Sequence, residues 1–331
     1  MPILIDIDKG EWLKAVLHAH SSNSDGWLSP CEVVRFYKAA GYDIVSITDH
    51  NKLTPMKDEE AIFLPGIEID VKSRVSESIY HIVLTGLEEE PGDSVRRDPQ
   101  RLIDWGVDRG LFVTVAHPYW SMLSTEDLDS LERYHAIEVY NTVSEMEVSR
   151  GRSDVYWDYL LNKEVFVWGT AVDDAHYYVF DALGGWVMVN AEEKNAEAVL
   201  EALKKGRFYS SMGPEIRYFA VEENKIEIEA RPLSVLRILS YDSRGYYFNM
   251  RFLDKLKELK GTKYVIDFEE YSENGAKIMR MALRRNVTVE VRITEPWIRI
   301  KLEGSFPFKR YVRAEVVDEN GLSAWTNPVK L

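Results

Sequence analysis

Cysteine is almost absent: the 331-residue chain has one, Cys31, so no internal disulfide can form. Its place inside an apparent amphipathic helix predicts a packed thiol rather than a nucleophile. No apolar run approaches the ~18 residues that a membrane helix needs. The opening MPILIDIDKGEW lacks the basic region, apolar stretch and cleavage site of a secretion signal. Both absences predict a soluble, cytoplasmic protein without membrane contact. Basic charge is in deficit, with 41 lysines and arginines against 55 acids and a net charge of -14. That balance opposes adhesion to anionic membranes and disfavours nucleic acid as a partner. It does not exclude a small anionic substrate, because bound cations reverse the sign of the field where they sit. No internal repeat, heptad array or low-complexity tract is present, and no histidine follows His176.

With 45% hydrophobic residues, the chain can bury one substantial core and a smaller second one. Short β-rich runs alternate with helical stretches through the first two hundred residues, the pattern of parallel strands joined by crossover helices. Strands are predicted at 15–18, 43–48, 62–65, 81–84, 111–116, 136–140, 165–169 and 186–189. One helix is signalled by Ser29 as cap, Pro30 in the first turn, Glu32 completing a capping box and Gly41 as stop. Others are predicted to start at Asp98 and Asn195 and to stop at Gly110 and Gly206. The fold class predicted is α/β, a barrel or wound sheet over residues 1–212. From Pro214 onward KIEIEA, TVEVRI, WIRIKLEG and YVRAEVVDENG alternate as antiparallel strands do, which predicts a small β-sandwich-like domain over 213–331. Residues 242–275 read as a polar excursion with a short helix at 252–259, and Trp325 as core.

Six of the seven histidines fall at or near predicted strand ends: His18, His20, His50, His81, His117 and His176, with His135 the exception. Asp25, Glu68 and Asp174 share these neighbourhoods. Strand alternation puts His18 and His20 on one face, and Asp174 and His176 likewise, so each pair can reach one ion. In an α/β barrel, ligands distant in sequence converge at the C-terminal ends of the strands. A lone histidine beside a strand is more often a hydrogen-bonded structural residue. The joint occurrence carries the reading, because so many buried imidazoles and acids would leave costly unsatisfied groups without a metal.

The segments LHAHSSNSDG, GYDIVSITDHN, LPGIEI, HIVLTG, VAHPYW and DDAH, in this order over residues 12–190, resemble the polymerase and histidinol phosphatase (PHP) family of metal-dependent phosphoesterases. The resemblance implies a distorted (β/α)7 barrel and up to nine ligands: His18, His20, Asp25, His50, Glu68, His81, His117, Asp174 and His176. It also implies how they are shared. His18, His20, Glu68 and Asp174 would serve one metal, Glu68 would bridge to a second on His81 and His117, and Asp25, His50 and His176 would hold a third. GRFYSSMGPEI and VVDENGLSAWTNPVKL further resemble the carbaryl-hydrolase-like subgroup, although Gly206 to Ile216 reads more simply as a helix stop and domain junction.

The expectation is therefore hydrolysis of a small-molecule phosphate ester, with two or three zinc, manganese or iron ions and an attacking hydroxide held over Glu68, His117 and Asp174. Three divalent ions bring six positive charges against three from Asp25, Glu68 and Asp174, which favours an anionic substrate. The alternatives are a carboxylic or carbamate ester hydrolase, a nuclease and a noncatalytic metal-stabilised scaffold. Asp49 and Asp173 adjoin ligands and could orient imidazoles. Asn51, Tyr119, Asn141, Arg150 and Arg152 could line a pocket, with ordinary loop roles the simpler reading of each.

Overall fold

The helix Pro30–Ala39 starts where its capping box predicts, with Ser29 N donating to Glu32 Oε2 at 2.8 Å. Its buried residues Val33, Val34 and Tyr37 pack against Val16, Val45, Ile47 and Ala175. Cys31 is exposed, which corrects the expectation of a packed thiol. It lies in the first turn, ahead of the buried stripe that begins at Val33. Asp98 Oδ1 accepts Arg101 N at 3.1 Å to cap the helix Pro99–Asp108. That helix lies against the strands through Gly106, where a Cβ would meet Leu84 and Val113 at 2.9 Å. Asn195 caps the helix Ala196–Lys204, and Gly206, with φ 68°, ends it.

A computed structural model describes residues 3–56 and 61–331 of the chain. They divide into two compact units, Gly10–Ser210 and Ser211–Leu331, and the N-terminal residues up to Lys9 belong with the second. A split drawn between 212 and 213 differs in that last respect. Ile3–Asp6 is an edge strand, antiparallel to Glu215–Glu222.

In the unit Gly10–Ser210, Glu11–Val16 is parallel to Ile44–Val45, which is parallel to Ile62–Phe63, and is antiparallel to Trp186–Ala191. A second sheet runs in the order Gly66–Lys72, Ile79–Thr85, Phe112–Val115, Ala136–Asn141, Trp168–Val172. The second strand is antiparallel to both its neighbours, and the last three are parallel. The core between these elements includes Leu13, Ala15, Phe112, Ala136, Val172, Val187, Leu203 and Phe208.

The regular ladders thus form two sheets of mixed direction and not one closed (β/α)7 barrel. Gly66–Lys72 turns back directly into Ile79–Thr85 without a crossover helix. At one end, single bridges join Ala19 to Ala175 and His50 to Glu68. Hydrogen bonds from Asp174 N to His18 O (3.0 Å), His20 N to Ala175 O (2.9 Å) and Asn51 N to Glu68 O (2.7 Å) reinforce them. Pairing is irregular there because Asn51, His117 and Asp174 leave the extended conformation, with φ of 55°, 23° and 57°. The strand expected at 165–169 is displaced to Trp168–Val172, because Val165 N still bonds Leu160 O in the preceding helix terminus.

The second unit is built from antiparallel strands. One sheet runs Ile3–Asp6, Glu215–Glu222, Lys225–Arg231, Trp297–Glu303, Val287–Thr294, Ala276–Leu283, Val265–Glu273, and a smaller one includes Gly245–Asn249, Val235–Ser240, Tyr311–Val317 and Ser323–Thr326. Trp325 is buried. The polar stretch 242–275 holds two whole strands, Gly245–Asn249 and Val265–Glu273, as well as the short helix Leu253–Leu256 with a 3-10 turn on each side. No helix among the described residues is long and apolar enough to cross a membrane.

Candidate metal centre

The bridged strand ends bring all nine predicted side chains to one locality. His18 and His20 lie just past Glu11–Val16 and are fully buried, with their Nε2 atoms 3.2 Å apart. Glu68 and Asp70 share one face of Gly66–Lys72, opposite His81 of the antiparallel neighbour, whose register sets His81 across from Asp70. His81 is near the start of its strand, and that antiparallel direction returns its first residues to the site end.

The tightest group is a buried cage. Glu68 Oε2 lies 3.2 Å from both His18 Nε2 and His20 Nε2, and Asp174 Oδ1 lies 3.1 and 2.9 Å from the same two nitrogens. With the 3.2 Å separation of the two nitrogens, five of the six donor–donor distances lie between 2.9 and 3.2 Å, and all four donors lie within 4.8 Å of one another. Donors this close together suit one shared ion with the ~2.0–2.2 Å bonds that zinc makes to nitrogen and oxygen. Neither Glu68 Oε2 nor Asp174 Oδ1 has a hydrogen-bond donor, although both are buried. A buried, unpartnered carboxylate oxygen is costly unless a cation compensates it. The residues fit a divalent metal on both counts.

Two further groups adjoin the cage. Glu68 Oε1 faces His81 Nδ1 at 2.9 Å and His117 Nε2 at 3.2 Å, and His50, Glu68 and His81 offer three donors close enough for one ion. Asp25, half exposed, faces His20 Nδ1 at 3.6 Å, His50 Nε2 at 3.8 Å and His176 Nε2 at 3.5 Å. His20 therefore reaches two groups, the cage through Nε2 and the outer cluster through Nδ1. Asp174 and His176 do not share one group as alternation predicts, because the left-handed backbone of Asp174 turns its carboxylate into the cage while His176 faces Asp25.

The electrostatics favour positive charge. Burial lowers the pKa of His18, yet Asp174, Glu68 and Glu138 more than offset it and hold the ring well above its ordinary value. His20, His50, His81 and His176 are raised likewise, each against burial, by the carboxylates beside them. Asp25 is held far below the usual carboxylate range, first by the hydrogen bond from His176. His135 stands apart, accepting Val113 N at 3.2 Å, and burial pushes its pKa down to about 4.

Two carboxylates that the sequence reading passed over complete the arrangement. Glu138, 1% exposed, accepts His18 Nδ1 at 2.7 Å on one oxygen. Its other oxygen accepts His117 N and Asn141 Nδ2, each at 2.9 Å. Asn141 Nδ2 also reaches Asp174 Oδ2 at 3.1 Å, so Glu138 and Asn141 fix three metal-binding candidates from different strands. Asp70 Oδ1 lies 3.2 Å from His50 Nδ1. The available signal was a charged residue inside the apolar run AIEVY, which cannot be buried without partners.

Asp49 and Asp173 hold loops rather than imidazoles. Asp49 accepts Ser21 N and Oγ, Ser24 Oγ and Thr54 Oγ1. Asp173 accepts Tyr37 OH, Thr142 Oγ1 and the amides of Leu183, Gly184 and Gly185. Above the donors opens a cavity of about 240 Å³, whose wall includes Trp120, Val143, Ser144, Glu147 and Tyr177. Neither Arg150 nor Arg152 lines it; the Arg150 guanidinium lies 5.9 Å from the Tyr119 ring centre. Asn51 donates to Asp70 Oδ2 at 3.2 Å.

No family model matches the chain, and no curated protein matches it. Among solved structures, it is similar to a two-domain protein from Bacteroides vulgatus containing a predicted PHP-like metal-dependent phosphoesterase. Identity is 16%, coverage 100% of this chain and 98% of that one, and the TM-score 0.48. An amidohydrolase from Chromobacterium violaceum, with bound sulfate and no metal, aligns at 15% identity over 50% of this chain and 89% of its own, TM-score 0.37. A protein from Bifidobacterium adolescentis, named as a candidate metal-dependent phosphoesterase, aligns at 16% identity over 51% and 89%, TM-score 0.36.

Proposed function

We propose that the chain is a metal-dependent hydrolase of the PHP type and that it cleaves the phosphate ester of a small molecule. The observation that carries this reading is the cage of His18, His20, Glu68 and Asp174, whose two histidine nitrogens stand 2.9 to 3.2 Å from each other and from the two inward carboxylate oxygens, both without a hydrogen-bond donor. On this reading the single bridges at Ala19 and His50 complete a distorted seven-stranded ring around the site.

The cage residues would hold one ion, Glu68 Oε1 with His81 and His117 a second, and Asp25, His50 and His176 a third with help from His20. Zinc, manganese or iron bound there would supply Lewis acidity, making a water nucleophilic at neutral pH and offsetting charge on the phosphoryl oxygens. Glu68, His117 and Asp174 stand together under the cavity, where they would orient the attacking oxygen. Glu138 donates no proton in this scheme; it holds the His18 ring with Nε2 toward the cage. At about 240 Å³, the cavity is smaller than the ~300–1,000 Å³ of drug-sized pockets, which favours a small substrate over a nucleic acid strand.

A second reading, hydrolysis of a carboxylic or carbamate ester, draws on the lack of lysine and arginine among the described residues of the cavity wall. Metal-reconstituted protein assayed on phosphate esters and on aryl carboxylic esters separates the two. Phosphate-ester turnover that disappears on chelation and returns with metal is expected. Turnover of carboxylic esters alone would replace the first reading with the second, and failure to bind any divalent metal would end both.

A further inference from the structure

His50 faces two different groups, one with each ring nitrogen. Its Nε2 lies 3.8 Å from Asp25 Oδ2, while its Nδ1 lies 3.2 Å from Asp70 Oδ1 and 3.3 Å from Glu68 Oε2. A neutral imidazole keeps its single proton on one nitrogen and offers the lone pair of the other, so the partner of Nδ1 decides which group the ring serves. A proton on Nδ1 frees Nε2 for the cluster of His20, Asp25 and His176, whereas a bare Nδ1 would serve the grouping of His50, Glu68 and His81.

Asp70 is held where it can take that proton. It stands two residues beyond Glu68 on Gly66–Lys72, and its Oδ2 accepts Asn51 Nδ2 at 3.2 Å, which leaves Oδ1 turned to His50. Asn51 is pinned in turn: its N donates to Glu68 O at 2.7 Å, and its O accepts Arg96 Nη1 at 2.7 Å. Its φ of 55° is a left-handed value that asparagine tolerates better than most residues. Arg96 also donates to Pro91 O at 2.7 Å and to Glu90, whose other oxygen accepts Leu53 N at 2.8 Å. Glu68 Oε2 does not take the proton, since no donor reaches it.

Stacking fixes the plane of the ring. His20 stacks on His50 with ring centres 4.6 Å apart and on His176 with ring centres 4.2 Å apart, at interplanar angles of 29° and 21°. The three rings each present a nitrogen to Asp25, at 3.5 to 3.8 Å.

We propose that Asp70, steadied by Asn51, is a positioning residue that keeps the His50 proton on Nδ1 and so commits His50, through Nε2, to an ion shared with Asp25 and His176 and not to the grouping with Glu68 and His81. The inference rests on the metal-hydrolase reading for the ions and on the contacts from Asn51 through Asp70 to His50 for the assignment. It leaves Glu68 to the cage and to His81 and His117. A carboxylate behind the imidazole also raises the basicity of the nitrogen that meets the cation, which strengthens binding at the more exposed end of the site.

The test titrates zinc into the chelator-treated full chain, with bound ions counted by elemental analysis. Asp70→Ala should weaken one ion ~10- to 100-fold, the same ion that Asp25→Ala loses, and leave the most tightly held ion unchanged. Asp70→Asn keeps an acceptor for Nδ1 without the charge and should restore part of the affinity. Asn51→Gly keeps the left-handed backbone, loses the amide that steadies Asp70, and should weaken the same ion severalfold. In nitrogen-15 spectra of the zinc-loaded wild type, His50 should show an exchange-protected proton on Nδ1, assigned with His50→Asn, that disappears in Asp70→Ala and returns in Asp70→Asn. A bare Nδ1 in the zinc-loaded wild type, or ion affinities unchanged in Asp70→Ala, overturns the inference and leaves the hydrolase reading standing. Equal weakening of every ion marks a general structural role and overturns it too. Failure of the wild type to bind any divalent ion removes the hydrolase reading, and this inference with it.

Discussion

Replacing Glu138 by glutamine removes one charge and almost no volume, yet it should weaken metal binding in the cage. Both carboxylate oxygens accept hydrogen bonds: Oε1 from His18 Nδ1 at 2.7 Å, and Oε2 from His117 N and Asn141 Nδ2 at 2.9 Å. An amide offers one acceptor oxygen only. Turned one way, its NH2 group meets the donors His117 N and Asn141 Nδ2 in a site closed to water; turned the other, it faces His18 Nδ1, which can accept only by moving its proton to Nε2, the atom the cation needs. If the amide oxygen keeps His117 and Asn141, the His18 ring loses the acceptor that fixes a proton on Nδ1 and leaves Nε2 free for the cation. Loss of such a partner typically weakens metal binding ~10- to 100-fold, or about 1.4 to 2.7 kcal/mol. Competition against a chromophoric chelator measures it directly, and thermal melting of chelator-treated protein separates any general loss of stability. A Glu138→Gln protein that binds its most tightly held ion with wild-type affinity would refute the reasoning.

The metal-free protein should respond to pH in an unusual direction. The raised values of His18, His20, His50, His81 and His176 mean that protonated imidazoles stabilise the fold fully below their ordinary 6.5, and that this contribution is lost as pH rises through the raised values. The depressed value of Asp25 acts oppositely, stabilising above its ordinary 3.8 and lost only in stronger acid. Melting of chelator-treated protein should thus peak between these limits and fall toward alkaline pH, whereas excess metal should remove the alkaline fall; a metal-free melting temperature that climbs steadily from pH 5.5 to 9 would contradict this. In the core, Trp157 is fully buried and donates to Val167 O at 2.9 Å. Trp157→Ala should cost about 3–5 kcal/mol in urea unfolding, and a loss below 1 kcal/mol would show that the site collapses freely.

Much of the site was legible because its ligands come from short motifs at strand ends, where the residue type alone announces the chemistry. The pair His18 and His20 converges as β alternation requires. The pair Asp174 and His176 does not, since a left-handed residue breaks the alternation, and aspartate is among the few side chains that tolerate one without glycine's freedom. Glu138 escaped notice for a different reason: its importance lies in contacts with residues 21 and 120 positions away, which periodicity cannot report. Local caps such as Ser29, Asp98 and Asn195 fixed helix starts well. The strand Gly66–Lys72 was missed because Pro65 and Gly66 read as the end of 62–65, whereas the chain resumes pairing immediately, with Gly66 close against Thr48 and Ser46. The single bridges that join Ala19 to Ala175 and His50 to Glu68 link distant segments, a matter of tertiary register without a local signal.

The central claim is that His18, His20, Glu68 and Asp174 enclose a cation. Anomalous diffraction from crystals of the protein reconstituted with zinc, manganese or iron, recorded on both sides of each absorption edge, tests it most directly. The account predicts a peak inside the cage within about 2.0–2.2 Å of all four donor atoms. Peaks only elsewhere on the molecule, or none after reconstitution with all three metals, would contradict it.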